Sequence, residues 1–294
     1  MKTHTLPTFL LVLALALSAC NPSTPTSVIV PSYINMDGSP ILVQLGLAWA
    51  EHFMHENRGS VISVVGNGEE GAFAAFANGT INLVASTRLM TDAEMDAALA
   101  RDIHPVETLV AREAIAVVVN PQNPLSRLTV QQVADIFSGK VNNWSEVGGD
   151  EAPIMRIAPA PEASPSAFFI NSVLHDSAIV SDIKIISAHE ELIAAVSADP
   201  NAIGYEDLGF VTLDVKLLAL AKSESGPFVL PTFDSVSDHT YPLTRDLYLY
   251  ASASPIDMIQ RYIFWIMHGE GQHTAQQHGF VPILALRPTR TPAP

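Results

Sequence analysis

Ser39, Thr87, Ser164 and Ser166 stand where apolar runs give way to predicted helices, and Arg88 directly follows Thr87. Gly68 lies in a glycine-rich loop, "GNGEEG" (Gly66 to Gly71), that also leads into a predicted helix. Such residues suit recognition of an anion. The first N–H groups of a helix have no internal partner, and the helix dipole favours negative charge there. Hydroxyls add donors, and an arginine offers five in a planar fork. Each position has a plainer reading. Ser39 ahead of Pro40 also reads as an N-cap with proline at N1. Arg88 also reads as a surface tie. Glu69 and Glu70 can face solvent and complement a helix start, or mark a different solute. Bond-breaking chemistry has no comparable pattern. No serine sits in a Gly-x-Ser-x-Gly elbow, and no His-Glu-x-x-His, Walker or nucleotide-binding glycine motif occurs. His52 and His55 share a helix face and His273 and His278 share a polar segment. Both pairs read as surface histidines, so no metal, cofactor or catalytic residue is expected.

The elements that must position these residues alternate. "SVIVPSYIN", "VISVVGNG", "INLVAST" and the run Ile115 to Val119 read as strands. "PILVQLGLAWAEHF", "EEGAFAAFANG" and "DAEMDAALARDI" read as helices. This alternation predicts an α/β fold. "LTVQQVADIF" predicts a helix over about Val130 to Phe137, closed by Ser138-Gly139 and followed by a polar stretch holding Trp144. The formal net charge is −15, from 30 acids and 15 bases. That surface disfavours nucleic acid without excluding a local anion site.

The first 19 residues carry Lys2, an apolar run from Phe9 to Leu17 and a small-residue ending, the pattern of a secretory signal peptide. Leu17-Ser18-Ala19-Cys20 resembles the bacterial lipoprotein box, which implies lipidation of Cys20 and a membrane anchor. Cys20 is the only cysteine, so no intramolecular disulfide can form. Residues 20–27 read as a tether rich in Pro, Ser and Thr, and residues 287–294 as a flexible tail.

"VVVNPQNPLSRLTVQQVADIFSGKVNNWSEVGG" resembles the segment that marks the phosphate-binding, PstS-like periplasmic binding proteins of ABC transporters. Asn120, Pro121, Asn123, Pro124, Leu128, Thr129, Ile136, Phe137, Gly139, Asn143 and Trp144 carry the match. "DGSPILVQLGLAWAEHF", "AFANGTINLVASTR", "NAIGYEDLGF", "YPLTRDLYLY" and "GEGQHTAQQHGFVP" extend it over nearly the whole mature chain. The resemblance implies a two-lobed type II periplasmic-binding fold, each lobe a mixed sheet flanked by helices, with a ligand cleft between. Lobe 1 is expected over 28–109 and 219–286, and lobe 2 over 110–218. The implied function is a lipid-anchored extracytoplasmic receptor of an ABC importer. It would bind phosphate or a related small oxyanion without turnover and dock on a permease.

By family position, Ser39, Gly68, Thr87 and Arg88 are the ligand residues expected in lobe 1, and Ser164 and Ser166 those in lobe 2. Trp144 is expected to pack a loop rather than touch ligand. Two departures from the family pattern matter. Glu69 and Glu70 interrupt the glycine loop, where a carboxylate aimed at phosphate would repel it. "APAPEASPSAFF" lacks the family's arginine and glycine-rich turn, and Pro165 supplies no N–H. They leave room for a binding fold with an altered or lost ligand, acting as a sensor or surface interaction protein. A hydrolase is the remaining alternative.

Overall fold

The computed structural model describes residues 32–175 and 178–284. The expected leader, the Cys20 tether and the tail from 287 lie outside the described residues. The described chain is α/β, with mixed sheets flanked by helices in two regions.

The first region opens with β1 (Ser32–Gly38), α1 (Val43–Glu56), β2 (Ser60–Val64), α2 (Glu69–Ala77), β3 (Leu83–Ser86) and α3 (Asp92–Leu99). β1 pairs in parallel with β2 and with β3, so α1 and α2 serve as crossovers. A short 3-10 turn, Pro40–Leu42, joins β1 to α1. α1 then buries Leu45, Trp49 and Phe53. α3 is closed at its start by a capping box between Thr91 and Glu94.

β4 (Pro105–Val119) runs through both regions. Val110 and Ala111 belong to the first core, whereas Ala114 and Ile115 belong to the second. The second region continues with β5 (Arg127–Thr129), α4 (Val130–Phe137), β6 (Met155–Ala158), α5 (Ser164–Phe169), β7 (Lys184–Ile185), α6 (His189–Ala198), β8 (Ala202–Asp207), β9 (Lys216–Leu217), β10 (Ala219–Ala221) and α7 (Phe233–Ser237). β11 (Thr244–Ser252), α8 (Asp257–Ile266) and α9 (Gly269–Gln277) complete the chain.

The first sheet has the order β2-β1-β3-β11-β4, with β11 antiparallel to both its neighbours. β4 then carries β8, β6 and β7 in order, and β9 pairs with its far end. β5 and β10 form a separate parallel pair. The helix starts where its local chemistry says it should at α4. Thr129 Oγ1 accepts from the Gln132 N–H at 3.1 Å, and the Thr129 N–H donates to Gln132 Oε1 at 2.8 Å. Val133, Ile136 and Phe137 face the core. Trp144 is buried and its indole N–H donates to the Asn201 carbonyl at 3.1 Å, so it packs the loop behind α4.

The return to the first region falls later than residue 218. Leu220, Val236, Tyr241 and Leu243 all pack in the second core, and the Tyr241 hydroxyl donates to the Ile115 carbonyl at 2.8 Å. The crossing is made within β11, whose Leu247 and Leu249 lie in the first core. The segment 219–243 therefore belongs to lobe 2, because its apolar side chains pack under β4 and not beside α1.

Candidate functional site

The carboxyl ends of β1, β2 and β3 converge, and the expected lobe-1 residues follow them directly. In open α/β sheets this end is where solutes are bound. Gly38 is needed for a close approach: a Cβ there would lie 1.9 Å from the Ala85 carbonyl oxygen. The Ser39 N–H donates to that same carbonyl at 2.8 Å, and the Gly68 N–H donates to the Gly38 carbonyl at 2.9 Å. Both backbone donors are thus used by the fold. The Ser39 hydroxyl makes no cap bond to the turn it precedes and remains the free donor of that pair.

Carboxylates fill the other donors of this end. Asp37 Oδ1 accepts from the Gly38 N–H at 2.7 Å and the Asn67 N–H at 2.9 Å, and Oδ2 accepts from the Asn67 amide at 2.9 Å. Burial works against the Asp37 charge, but these bonds win and hold its carboxyl below the usual range. Glu69 does not turn to solvent. Its Oε1 accepts from the Thr87 N–H at 2.6 Å and from the Thr87 hydroxyl at 2.9 Å. Its Oε2 lies 3.2 Å from Arg88 Nε. The outer nitrogens of Arg88 pair with Glu94 at 2.9 and 2.8 Å, and its guanidinium lies 5.0 Å from the Phe73 ring centre. Glu70 is exposed.

Across from this end lies a crevice of about 670 Å3. Pro40, Ile41 and Gln44 form one wall, Ala163, Ser164, Pro165, His189 and Asp207 the other, and His278 and Phe280 the end. Ser164 is the expected lobe-2 residue that lines it. Its hydroxyl donates to Glu113 Oε1 at 2.7 Å. Ser166 points the other way. It is 1% exposed, and its hydroxyl donates to the Pro159 carbonyl at 3.3 Å and meets the Tyr205 hydroxyl at 3.3 Å. Pro165 separates the two serines, and successive residues of a helix start do not share a face. Ser166 is a core residue and not a crevice contact.

Asp207, which lines the crevice, joins a buried charged cluster behind its wall. β4 places Glu113 opposite Arg245 of β11, and Asp207 of β8 lies opposite Ile115, diagonal to Glu113 on the same face. Arg245 Nε donates to Glu113 Oε2 at 2.5 Å, and its guanidinium also lies 4.4 Å from the Phe168 ring centre. Glu206 accepts from the Asp207 N–H at 2.9 Å and meets His189 Nδ1 at 3.0 Å. Asp207 is 3% exposed and its Oδ1 is buried with no hydrogen-bond partner. Burial, then the charges of Glu113 and Glu206, push its carboxyl well above the usual range, although Arg245 acts the other way. Burial also raises Glu206, against its bond from His189. His278, expected at the surface, is half-buried in the crevice wall, and desolvation lowers its pKa. Four of these groups lie in motifs of the sequence, Glu206 and Asp207 in "NAIGYEDLGF", Arg245 in "YPLTRDLYLY" and His278 in "GEGQHTAQQHGFVP", but no single motif shows their charge pairing. Among the described residues no cluster of His, Cys, Asp and Glu is arranged to hold a metal ion.

Two lobes on a shared strand, with a crevice between them at the carboxyl ends of parallel strands, define a type II periplasmic-binding fold. The chain belongs to the PBP superfamily: the family described as "PBP superfamily domain" matches residues 25–270. It is similar to the phosphate-binding protein PstS of Pseudomonas aeruginosa, with 29% identity over 265 residues, 84% of this chain and 82% of that protein. The crystal structure of a possible phosphate binding protein from Planctomyces limnophilus shares the fold at a TM-score of 0.77. Identity is 23%, over 87% of this chain and 94% of that one. An ABC-type phosphate transport receptor from Vibrio cholerae shares it at 0.70, with 20% identity over 85% and 99%. The chain is therefore a PBP-superfamily protein that is similar, at the family level, to PstS-like solute-binding proteins.

Proposed function

We propose that this chain is the extracytoplasmic receptor of an ABC importer and takes a small oxyanion, phosphate or one of its size, between its lobes. Three donors of two adjacent residues, the Thr87 N–H, the Thr87 hydroxyl and Arg88 Nε, converge on one carboxylate at the carboxyl end of β3. That convergence carries the reading, because donors that hold a carboxylate suit any small oxyanion. The Ser39 hydroxyl adds a donor nearby, whereas the Ser164 hydroxyl of the opposite lobe is already donated to Glu113. Closure of the lobes would join the two sides and present the loaded receptor to a permease. Cys20 would carry the lipid anchor, which the mass of the mature N-terminus reads directly.

A second reading has its own support. Among the described residues no lysine or arginine lines the crevice, whereas Glu162 and Asp207, whose Oδ1 has no hydrogen-bond partner, do. Such a wall favours a solute that brings hydrogen-bond donors or positive charge. Titration calorimetry separates the two. Heat from phosphate, sulfate, molybdate or a small carboxylate supports the oxyanion receptor. Heat from ammonium or guanidinium compounds, with none from the oxyanions, replaces it by a receptor of altered ligand.

A further inference from the structure

We propose that Glu69 is a built-in competitor for the solute, a tethered carboxylate that fills the lobe-1 anion nest and sets which free anions can enter it. The inference rests on the oxyanion reading above and names the residue that limits it. Both Glu69 oxygens are engaged: Oε1 by the Thr87 N–H at 2.6 Å and the Thr87 hydroxyl at 2.9 Å, Oε2 by Arg88 Nε at 3.2 Å. This is the donor set a free oxyanion would use. The contact is also local and stiff. Glu69 is the first residue of α2, so its backbone is held by the helix and its side chain reaches directly to the end of β3. Arg88 is braced in turn, since its other two nitrogens grip Glu94.

A carboxylate tethered 18 residues away along the same chain acts at an effective concentration on the order of millimolar or above. A free anion must displace it, and its apparent affinity falls by the fraction of molecules in which the nest is open. The charge adds to the effect. A displaced Glu69 stays beside the incoming anion, so a dianion meets a like charge that a neutral solute does not. Ordinary surface pairing does not account for the arrangement, because Glu69 spends both oxygens on Thr87 and Arg88 although Glu94 already satisfies most of the guanidinium.

The test compares the mature wild-type protein with Glu69→Ser and Glu69→Gln, using inorganic phosphate and sulfate in calorimetry and thermal unfolding. Glu69→Ser removes the competitor and leaves a hydroxyl. It should bind phosphate at least tenfold more tightly than wild type. Glu69→Gln keeps an acceptor for Thr87 but releases Arg88, and should fall between. Adding Thr87→Val to Glu69→Ser should abolish the gain. Should Glu69→Ser prove unstable, phosphate or acetate must restore its melting temperature by occupying the emptied nest; no restoration overturns the proposal. Equal phosphate affinity in wild type and Glu69→Ser overturns it too, while the oxyanion reading survives. Tighter binding by wild type makes Glu69 a positioning group and also overturns it. Absence of oxyanion binding in every variant removes both the competitor and the oxyanion receptor.

Discussion

The two lobes treat their carboxylates in opposite ways. In lobe 1, Asp37, Glu69 and Glu94 sit at the ends of elements, where N–H groups, hydroxyls and Arg88 point at them. Those donors hold Asp37 below its usual range and Glu94 at about 2. In lobe 2, Glu113, Glu206 and Asp207 sit on the central strands β4 and β8, 0%, 1% and 3% exposed. There burial wins and the pKa values of Asp207 and Glu206 rise. Donor supply at element ends, against its scarcity between paired strands, accounts for the difference. The consequence for binding is direct. Lobe 1 has donors, but its own acids use them, whereas lobe 2 presents acids with few donors left over.

Removing the main cation of lobe 2 should break that lobe's side of the comparison most severely. Arg245 is the cross-strand partner of Glu113 and packs on Phe168. Arg245→Met would leave a fully buried carboxylate unpaired beside two others. Loss of one partner of such a pair costs about 3–5 kcal/mol. Urea unfolding should show a loss of that size, and Glu113→Gln in the same chain should recover most of it. A loss under about 1 kcal/mol would mean that Glu113 behaves as an exposed acid does.

Asp207 sharpens the comparison through pH. Its folded pKa is raised, so it stays protonated after the unfolded chain has ionised above about 3.9. The unfolded state then binds fewer protons, and stability falls as pH rises from that value toward the raised one. Asp207→Asn cannot ionise. The variant should therefore gain on wild type as pH rises above about 3.9, read as melting temperature at each pH. Parallel curves for the two proteins would show that Asp207 titrates as an ordinary aspartate.

How far this was legible in sequence depends on the distance over which residues meet. α4 could be read because Thr129, Gln132 and the apolar positions Val133, Ile136 and Phe137 are all local. The core of β4 could be read because Ile115 to Val119 is an unbroken β-branched and apolar run. The late return to lobe 1 could not. "SGPFVLPTFDSVSDHTYPL" has no sustained period, and only packing shows Val236, Tyr241 and Leu243 under β4. Motif alone points to Ser39, Thr87, Arg88, Ser164 and Ser166 as candidates, and only the structure shows Ser166 turned inward behind Pro165. The direction of Glu69 depends on one side-chain rotamer. The buried acidic cluster depends on the register of β4 with β8 and β11, which no short stretch encodes.

The smallest effect should come from lobe 1, at Glu94. Arg88 hydrogen-bonds it most strongly, with Thr91 adding further donors, and together they hold its carboxyl at about 2, below the ordinary 4.5. A depressed carboxyl gives its stabilisation in full above the unfolded value, and loses it as pH falls from 4.5 through about 2. Glu94 is partly exposed and Arg88 more so, so solvent screens the pair and its worth stays within about 1 kcal/mol. Glu94→Gln keeps an acceptor for the Thr91 N–H and so preserves part of the capping box. Urea unfolding should show a loss of about 0.5–1 kcal/mol at neutral pH, shrinking to nothing as wild-type Glu94 is protonated. The sign of this pH dependence is opposite to that of Asp207→Asn. A loss that stays constant down to acid pH would mean that Glu94 acts through packing of α3, and would leave the contrast between the lobes resting on Asp37 and Glu69.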